Sequence, residues 1–271
     1  MKKKWFIGLM TGTVLDGNID IALLRTDGEY IEEFGPYALI PYSHSTRVLL
    51  EKTLDAAQLW KFGKEEPDIF AQTEVAITGS QTEAVQEFIE TSGIDINDIA
   101  GVGFHGQTVL HRAPSKSFIG ATRQLGDGQA MADQLGIPVV YDFRTNDIKA
   151  GGQGAPLCPI YHAALLKKID AGPDTAFLNL GGVGNLTWQS KDHEIFAFDT
   201  GPANAPINDW IKYFNKGEMD KDGEIAASGS VNENKLNKML QDPYFKKSPP
   251  KSLDRFDFLY TMVDGLSLED G

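Results

Sequence analysis

Residues 5–24 read WFIGLMTGTVLDGNIDIALL. The apolar run at 5–10 predicts a buried strand, and 19–24 predicts a second strand that returns from a turn rich in glycine and threonine. Asp27-Gly28 is typical of a hairpin turn and precedes a third predicted strand at 30–39. We therefore expect the chain to open as a three-stranded meander.

A second strand–turn–strand pattern lies near residue 180. A strand is predicted at 175–180, a tight turn at Gly181-Gly182-Val183-Gly184-Asn185, and further strands at 186–189 and 195–198. The other predicted elements are helices at 45–61, 67–92, 129–135, 157–168, 205–214 and 232–241 and strands at 99–104 and 137–143. This alternation predicts an α/β fold. We interpret the glycine-rich stretch 150–156 as a lobe boundary, with lobes at 1–148 and 149–271.

The composition limits the classes of partner. The chain has 271 residues and a net charge of −13, which repels nucleic acid and anionic membranes, so neither is expected as a main partner. The N-terminal apolar run is too short for a signal peptide, and no stretch has the length of a membrane span, which predicts a cytoplasmic protein. The single cysteine, Cys158, is interpreted as a small buried residue rather than as a reactive thiol.

The turn after the first strand carries candidate phosphate ligands. Successive N–H groups and hydroxyls at Thr11, Gly12 and Thr13 can cradle phosphate oxygens. Asp16 is placed to hold Mg²⁺ directly or through water. No Gly-Lys-Ser/Thr follows, so the turn is not a Walker A loop. An ordinary hairpin turn explains the same residues equally well.

The second glycine-rich turn can also be interpreted either as a ligand-binding turn or as an ordinary β-turn. Gly181 and Gly182 permit close approach of the backbone to a ligand, and Asn179 and Asn185 either fix the turn or contact a phosphate. A β-turn with its usual Asn and Gly preference is the alternative.

Two further segments bring polar groups to strand ends. Asp199 ends an apolar strand, where it could act as a general base facing a cleft, although a turn or N-cap aspartate is the commoner occurrence. His105 and His111 lack the two-histidine spacing of a helical zinc site. We interpret them, with Gln107 and Gln124, as sugar-binding or structural hydrogen-bonding groups.

Together these motifs occur in one order along the chain. They are Met10-Thr11-Gly12-Thr13 with Leu15-Asp16-Gly17, His105-Gly106-Gln107-Thr108, Asp142-Phe143-Arg144 with Asp147, Gly151 to Leu157, Leu178 to Asn185, Phe198 to Pro202, Asp220 to Gly223, Asp242 to Phe245, and Pro249-Pro250-Lys251-Ser252. In this combination the sequence resembles the bacterial anhydro-N-acetylmuramic acid kinases. The resemblance covers essentially the whole chain and implies a two-lobed, actin-like ATPase (ribonuclease H-like) fold with a central cleft.

The resemblance also implies a reaction. The family opens the 1,6-anhydro bridge of its sugar with water and phosphorylates the freed 6-oxygen from ATP with Mg²⁺, giving N-acetylmuramic acid 6-phosphate in peptidoglycan recycling. Asp199 matches the family's base, which resembles the base of an inverting glycosidase. The two phosphate loops of the family match Thr11, Gly12, Thr13 and Asp16, and Gly181, Gly182 and Asn185. The candidate sugar contacts are His105, Gln107, Arg144 and Asp147.

The sequence departs from the family pattern in several places. Val14 replaces a hydroxyl-bearing residue, Asn18 has the character of an insertion, and the segment from Asp142 to Asp147 lacks two arginines. The family continues past residue 271, so we hypothesise a truncated second lobe, which would bind ATP weakly and lack activity. A non-catalytic sugar-binding remnant and an actin-like kinase for another sugar stay open as alternatives. A homodimer is the commonest assembly for such a protein.

Overall fold

The computed structural model describes residues 3–11, 17–112, 114, 118–192, 194–249, 251–253 and 257–271. The chain divides into two compact units, Met1–Leu157 and Cys158–Gly271. Residues 149–157, which the sequence analysis assigns to the second lobe, belong to the first unit in this division. Within the described ranges, no helix is both long enough and apolar enough to cross a bilayer.

The described residues of the first unit form seven strands and four α-helices. The strands are β1 (Lys4–Met10), β2 (Asn18–Thr26), β3 (Ile31–Pro41), β4 (Ile99–Phe104), β5 (Gln107–Arg112), β6 (Ala121–Leu125) and β7 (Val139–Tyr141). The helices are α1 (His44–Trp60), α2 (Ile69–Ser92), α3 (Gly128–Leu135) and α4 (Thr145–Lys149). The predicted meander is confirmed, whereas the sequence analysis missed the β5–β6 ribbon and α4.

A five-stranded sheet in the order β3-β2-β1-β4-β7 forms the base of the first unit. β1 runs antiparallel to β2 and parallel to β4, with Ile7 opposite Val102. Because parallel strands end at the same sheet edge, Thr11 after β1 and His105 after β4 lie at one edge. This pairing brings Thr11, the first residue of the predicted phosphate turn, next to the histidine segment.

The core of the first unit follows the strand alternation. Ile7 and Leu9 of β1 are buried on one face together with Ile21 and Leu23 of β2. Helices α1 and α2 contribute further large side chains, among them Leu50, Phe70 and Ile77, each at most 1% exposed. The two helices are also joined by the hydroxyls of Thr53 and Thr73, whose oxygens lie 2.6 Å apart.

The predicted hairpin turn between β2 and β3 is confirmed. Gly28 has φ +97°, a conformation that glycine adopts without strain. The Asp27 carboxylate accepts hydrogen bonds from the N–H groups of Glu29 and Tyr30, at 3.1 and 2.9 Å. The aspartate side chain therefore fixes the turn by binding the backbone of the residues that follow it, as is usual for this residue type.

In the second unit, the residues that the structure describes form a three-stranded antiparallel sheet and four α-helices. The strands are β8 (Ala176–Leu180), β9 (Val183–Gln189) and β10 (Ile195–Pro202), in the order β10-β9-β8. The helices are α5 (Pro159–Lys168), α6 (Asn204–Tyr213), α7 (Glu224–Ser228) and α8 (Glu233–Met239). β10 is longer than predicted, so Asp199 lies inside the strand and not at its end.

One face of the second sheet packs against α5. The His162 ring stacks on Phe177 with ring centroids 4.7 Å apart, and its Nδ1 lies 2.8 Å from the Thr187 hydroxyl. Cys158, which precedes α5, is exposed, so the prediction of a buried cysteine was wrong. Its neighbours Leu157 and Ile160 are exposed as well, because this helix start lies at the surface of the unit.

Candidate active site

The end of β1 is tied to the turn after β4. The Thr11 side chain is 1% exposed, and its hydroxyl donates to the carbonyl of Gly106 at 2.7 Å. Gly106 has φ +61°, and a Cβ there would clash with the carbonyl oxygen of Leu125. Glycine is therefore required both for the backbone conformation and for the close approach to β6.

His105 is held in one uncharged form. Its Nδ1 lies 2.9 Å from the Gly106 carbonyl, which only accepts, and its Nε2 lies 3.1 Å from Nη2 of Arg144, which only donates. The ring therefore carries its proton on Nδ1. Burial and the neighbouring Arg144 charge lower the pKa of His105 to about 4. At neutral pH this histidine is a neutral hydrogen-bonding group, not a cation.

Arg144 and Asp147 both fasten the glycine-rich stretch that follows them. Nη1 of Arg144 donates to the Gly154 carbonyl at 2.7 Å, and the Gly154 N–H donates to Oδ2 of Asp147 at 2.6 Å. A Cβ at Gly152 would clash with the Asp147 carboxylate. The structure therefore brings His105, Arg144 and Asp147 into one network, in which the last two bind the backbone of the 151–154 turn.

Two glutamines beside this network have unused acceptors. Gln107 is 1% exposed, and its Nε2 donates to the Thr108 carbonyl at 3.3 Å. Gln124 is 7% exposed, and its Nε2 donates to the His105 carbonyl at 3.2 Å. Neither side-chain oxygen has a hydrogen-bond partner within the described parts of the chain. Buried acceptors of this kind usually bind water or a ligand.

The structure does not test the other phosphate and Mg²⁺ ligands predicted in the first turn. Gly12, Thr13 and Asp16 lie outside the described residues, so their predicted contacts with phosphate and Mg²⁺ stay predictions. Among the residues that the structure does describe, no group of three His, Cys, Asp or Glu side chains is arranged for a metal ion.

In the second unit, the Gly181-Gly182 turn lies against the start of α6. The Gly181 carbonyl accepts the N–H of Asn204 at 2.8 Å, and the Gly182 carbonyl accepts the N–H of Ala205 at 3.2 Å. The Asn204 side chain adds a bond from Nδ2 to the Leu180 carbonyl at 2.8 Å. The turn is thus joined to the first residues of the helix through main-chain groups.

Asp199 is anchored at three points. Its N–H donates to the Lys251 carbonyl at 3.1 Å, and its carbonyl accepts the Tyr244 hydroxyl at 2.6 Å. Oδ2 of its carboxylate accepts the N–H of Leu253 at 2.8 Å, and no donor among the described residues binds Oδ1. Burial raises the pKa of Asp199, although the bond from Leu253 opposes the rise. The N-cap alternative is wrong, because α6 begins five residues later, after Ala203.

The sheet register places polar side chains beside Asp199. Asn185 of β9 lies directly opposite Asp199, and Asn179 of β8 lies opposite Asn185. The β9–β10 register shifts between Asp199 and Gly201, which marks a bulge next to the carboxylate. Bulges commonly redirect a side chain beside an active site. Asn185, predicted as a phosphate ligand, is therefore a cross-strand neighbour of the predicted base.

Sequence reasoning gave no role to three residues that touch Asp199. Tyr244, Lys251 and Leu253 lie 45 or more positions downstream in the chain. The only signal for Tyr244 and Lys251 was membership of the motifs 242–245 and 249–252, and Leu253 had none. The contacts arise from the tertiary fold, which local patterns do not encode.

The mixed α/β fold, with a carboxylate beside a bulge in β10 and a glycine-rich turn between β8 and β9, is consistent with a sugar kinase. The sequence model of the family described as anhydro-N-acetylmuramic acid kinase matches residues 4–266. The chain belongs to this family.

Similar proteins carry the same name. The chain is 58% identical to the anhydro-N-acetylmuramic acid kinase of Rhizobium rhizogenes and 59% identical to that of Brucella anthropi, over 100% of this chain and 73% of each relative. It is 57% identical to anhydro-N-acetylmuramic acid kinase 2 of Jannaschia sp., over 99% of this chain and 71% of the relative. The resemblance inferred from the motifs is confirmed.

Proposed function

We propose that the chain is an ATP-dependent kinase that opens 1,6-anhydro-N-acetylmuramic acid with water and phosphorylates its 6-oxygen. The observation that carries the proposal is the Asp199 carboxylate, in which Leu253 fixes Oδ2 and no donor among the described residues binds Oδ1. Family membership and the names of the relatives supply the substrate and the class of reaction. Since ATP is a cytoplasmic metabolite, the proposal places the reaction in the cytoplasm.

Asp199 acts as the general base in the first half of the reaction. Oδ1 takes a proton from water while the water oxygen bonds to the anomeric carbon and the bond from that carbon to the 6-oxygen breaks. The freed 6-oxygen then attacks the γ-phosphorus of ATP and ADP leaves. The products are N-acetylmuramic acid 6-phosphate, ADP and the proton held by Asp199.

The other predicted residues bind and orient. Backbone groups of Thr11, Gly12 and Thr13 and of the Gly181-Gly182 turn are proposed to hold the ATP phosphates, with Asn185 beside them. Asp16 is the proposed ligand for Mg²⁺, which neutralises phosphate charge when bound.

The sugar is proposed to contact the His105 network. The buried acceptor of Gln107 suits a sugar hydroxyl or the N–H of an acetamido group. Arg144 and Asp147 hold the 151–154 turn, and His105 is the neutral partner of Arg144.

The test is product analysis in heavy-oxygen water. The chain is incubated with the anhydrosugar, ATP and Mg²⁺ beside two variants, Asp199→Asn and the exposed control Asp192→Asn. We expect a 6-phosphate that carries heavy oxygen from the unaltered chain and the control. In Asp199→Asn the rate should fall by on the order of 10²- to 10⁴-fold, since general-base catalysis is lost.

Other outcomes favour the alternatives. Phosphorylation of a simple hexose but not of the anhydrosugar would point to a kinase for another sugar. Sugar binding by calorimetry without turnover would point to a non-catalytic sugar-binding protein.

A further inference from the structure

The segment after α8 folds back onto the proposed base. We call residues 242–249 and 251–253 the clamp. It begins at Asp242, whose carboxylate accepts the Tyr244 N–H at 2.8 Å and so starts a short 3₁₀ turn, Pro243–Lys246. It ends at Leu253, whose N–H binds the Asp199 carboxylate. The clamp contacts Asp199 at its N–H, its carbonyl and its carboxylate, which is more than anchoring a loop requires.

Tyr244 is the fixed point of the clamp. Its side chain is 5% exposed, and its ring packs edge-on against Phe258 with ring centroids 6.2 Å apart. The neighbouring Phe245 fits against the bulge in β10, where a Cβ on Gly201 would lie 3.0 Å from its ring. The Tyr244 hydroxyl therefore reaches the Asp199 carbonyl from a packed aromatic cluster and not from a mobile loop.

Lys251 couples the two ends of the clamp. Its ammonium lies 4.6 Å from the centroid of the Tyr244 ring and 5.8 Å from that of Phe198, and it donates to the Tyr244 carbonyl at 3.3 Å. Two residues later comes Leu253. Lys251 therefore contacts Tyr244 and lies two residues before the N–H that fixes Oδ2.

We propose that Tyr244 is a positioning residue for Asp199. By holding the Asp199 carbonyl and, through the clamp, the N–H of Leu253 on Oδ2, it leaves Oδ1 as the single oxygen presented for proton transfer. A base with one oxygen fixed needs no reorientation before it reacts. The positioning role rests on the proposed function only for the identity of the reaction that Asp199 catalyses. The contacts between Tyr244, Leu253 and Asp199 do not depend on that proposal.

The experiment measures the titration of Asp199 directly. Chains labelled with ¹³C in the aspartate carboxyl are titrated by NMR, and the Asp199 signal is assigned from its loss in Asp199→Asn. Tyr244→Phe keeps the ring, its packing and the Lys251 contact and removes only the hydroxyl. We expect the pKa of Asp199 to rise in this variant, because the opposing bond from Leu253 weakens while burial persists. Tyr213→Phe, an exposed tyrosine in α6, is the control and should leave the titration unchanged.

A second pair of variants tests the donor itself. Leu253→Pro deletes the N–H and should raise the pKa of Asp199, whereas Leu253→Ala keeps the N–H and should not. Among the described residues, the charged groups that face Tyr244 and Asp199 are Lys247, Lys251 and Asp257, and all four variants leave them in place. An Asp199 titration in Tyr244→Phe identical to that of the unaltered chain would overturn the proposal, whatever Leu253→Pro shows.

Kinetics separate the positioning role from the proposed reaction. With anhydrosugar and ATP, Tyr244→Phe should lower kcat about tenfold and leave KM within about twofold, and the acid limb of kcat/KM should move to higher pH. If the titrations shift as expected but the unaltered chain does not turn over the anhydrosugar, the proposed function fails and the positioning role stands. If the unaltered chain turns over the anhydrosugar but the titrations do not shift, the proposed function stands and the positioning role fails.

Discussion

His105 in the first unit and Asp199 in the second are both fixed by segments that follow them in the chain, but the outcome differs. Both ring nitrogens of His105 are used, one by a carbonyl and one by Arg144, and the ring is neutral. Asp199 uses one carboxylate oxygen and leaves the other without a described donor. The comparison teaches that His105 has no group left for proton transfer, whereas Asp199 does. Chemistry is therefore expected at Asp199 and orientation at His105.

The two units also differ in how many apolar side chains they bury. The buried apolar cluster lies wholly within the first unit, where Leu50 of α1 is 1% exposed. In the second unit, Leu178 and Leu180 of β8 are 54% and 59% exposed. The first unit is thus built around a large core, and the second around main-chain bonds and aromatic contacts.

A matched pair of leucine truncations should show the largest difference. Leu50→Ala empties a buried site and should lower the free energy of unfolding by about 2–5 kcal/mol. Leu178→Ala removes a half-exposed side chain and should cost less than about 1 kcal/mol. Denaturant unfolding, with amide hydrogen exchange to assign the change to a unit, measures both. Equal costs would mean that the packing contrast is wrong.

A pair of glycine substitutions compares the rigidity of the turn after His105 with that of the bulge beside Asp199. Gly106→Ala places a side chain at positive φ against the Leu125 carbonyl and should cost about 2 kcal/mol or more. In Gly201→Ala the new Cβ meets the Phe245 ring edge at 3.0 Å without a positive φ, so a cost within about 1 kcal/mol is expected. Thermal unfolding of the two variants gives the comparison, and a milder effect at Gly106 would contradict the rigidity assigned to the His105 turn.

Sequence patterns predicted much of the first unit, for reasons that are local. The strands at 5–10 and 19–24 follow from apolar runs around a turn, and the hairpin at Asp27-Gly28 follows from turn chemistry. The β5–β6 ribbon was missed because its strands are joined by a loop much longer than the short turns that identify a hairpin. The extension of β10 past Asp199 was missed because Thr200-Gly201-Pro202 is typical of a turn, whereas here it forms a bulge.

The candidate site also has a part that local motifs predicted and a part that depends on long-range contacts. The motifs identified Asp199 and the glycine turns, and family membership is confirmed by comparison. The clamp was not predicted, because a contact between Tyr244 and Asp199 depends on how the segment after α8 returns to β10. Periodicity and turn preference carry no information on such long-range contacts.

The smallest expected effect on the free energy of unfolding comes from the two buried histidines, one in each unit. The pKa of His105 is lowered from 6.5 to about 4 by burial and by Arg144, while that of His162 is lowered by burial alone. Between pH 6.5 and 4 the unfolded chain binds a proton at position 105 that the folded chain does not. The contribution of His105 to the free energy of unfolding is therefore fully present above pH 6.5 and is lost as the pH falls toward 4.

Replacing each histidine by glutamine separates the two contributions. His105→Gln should make the free energy of unfolding less dependent on pH, by about 1 kcal/mol between pH 7 and 5.5, and His162→Gln should flatten it less. Urea unfolding at several pH values measures the slopes, which are insensitive to the constant cost of each substitution. A larger flattening from His162→Gln would mean that the Arg144 charge contributes little at position 105, and His105 would then resemble an ordinary core histidine.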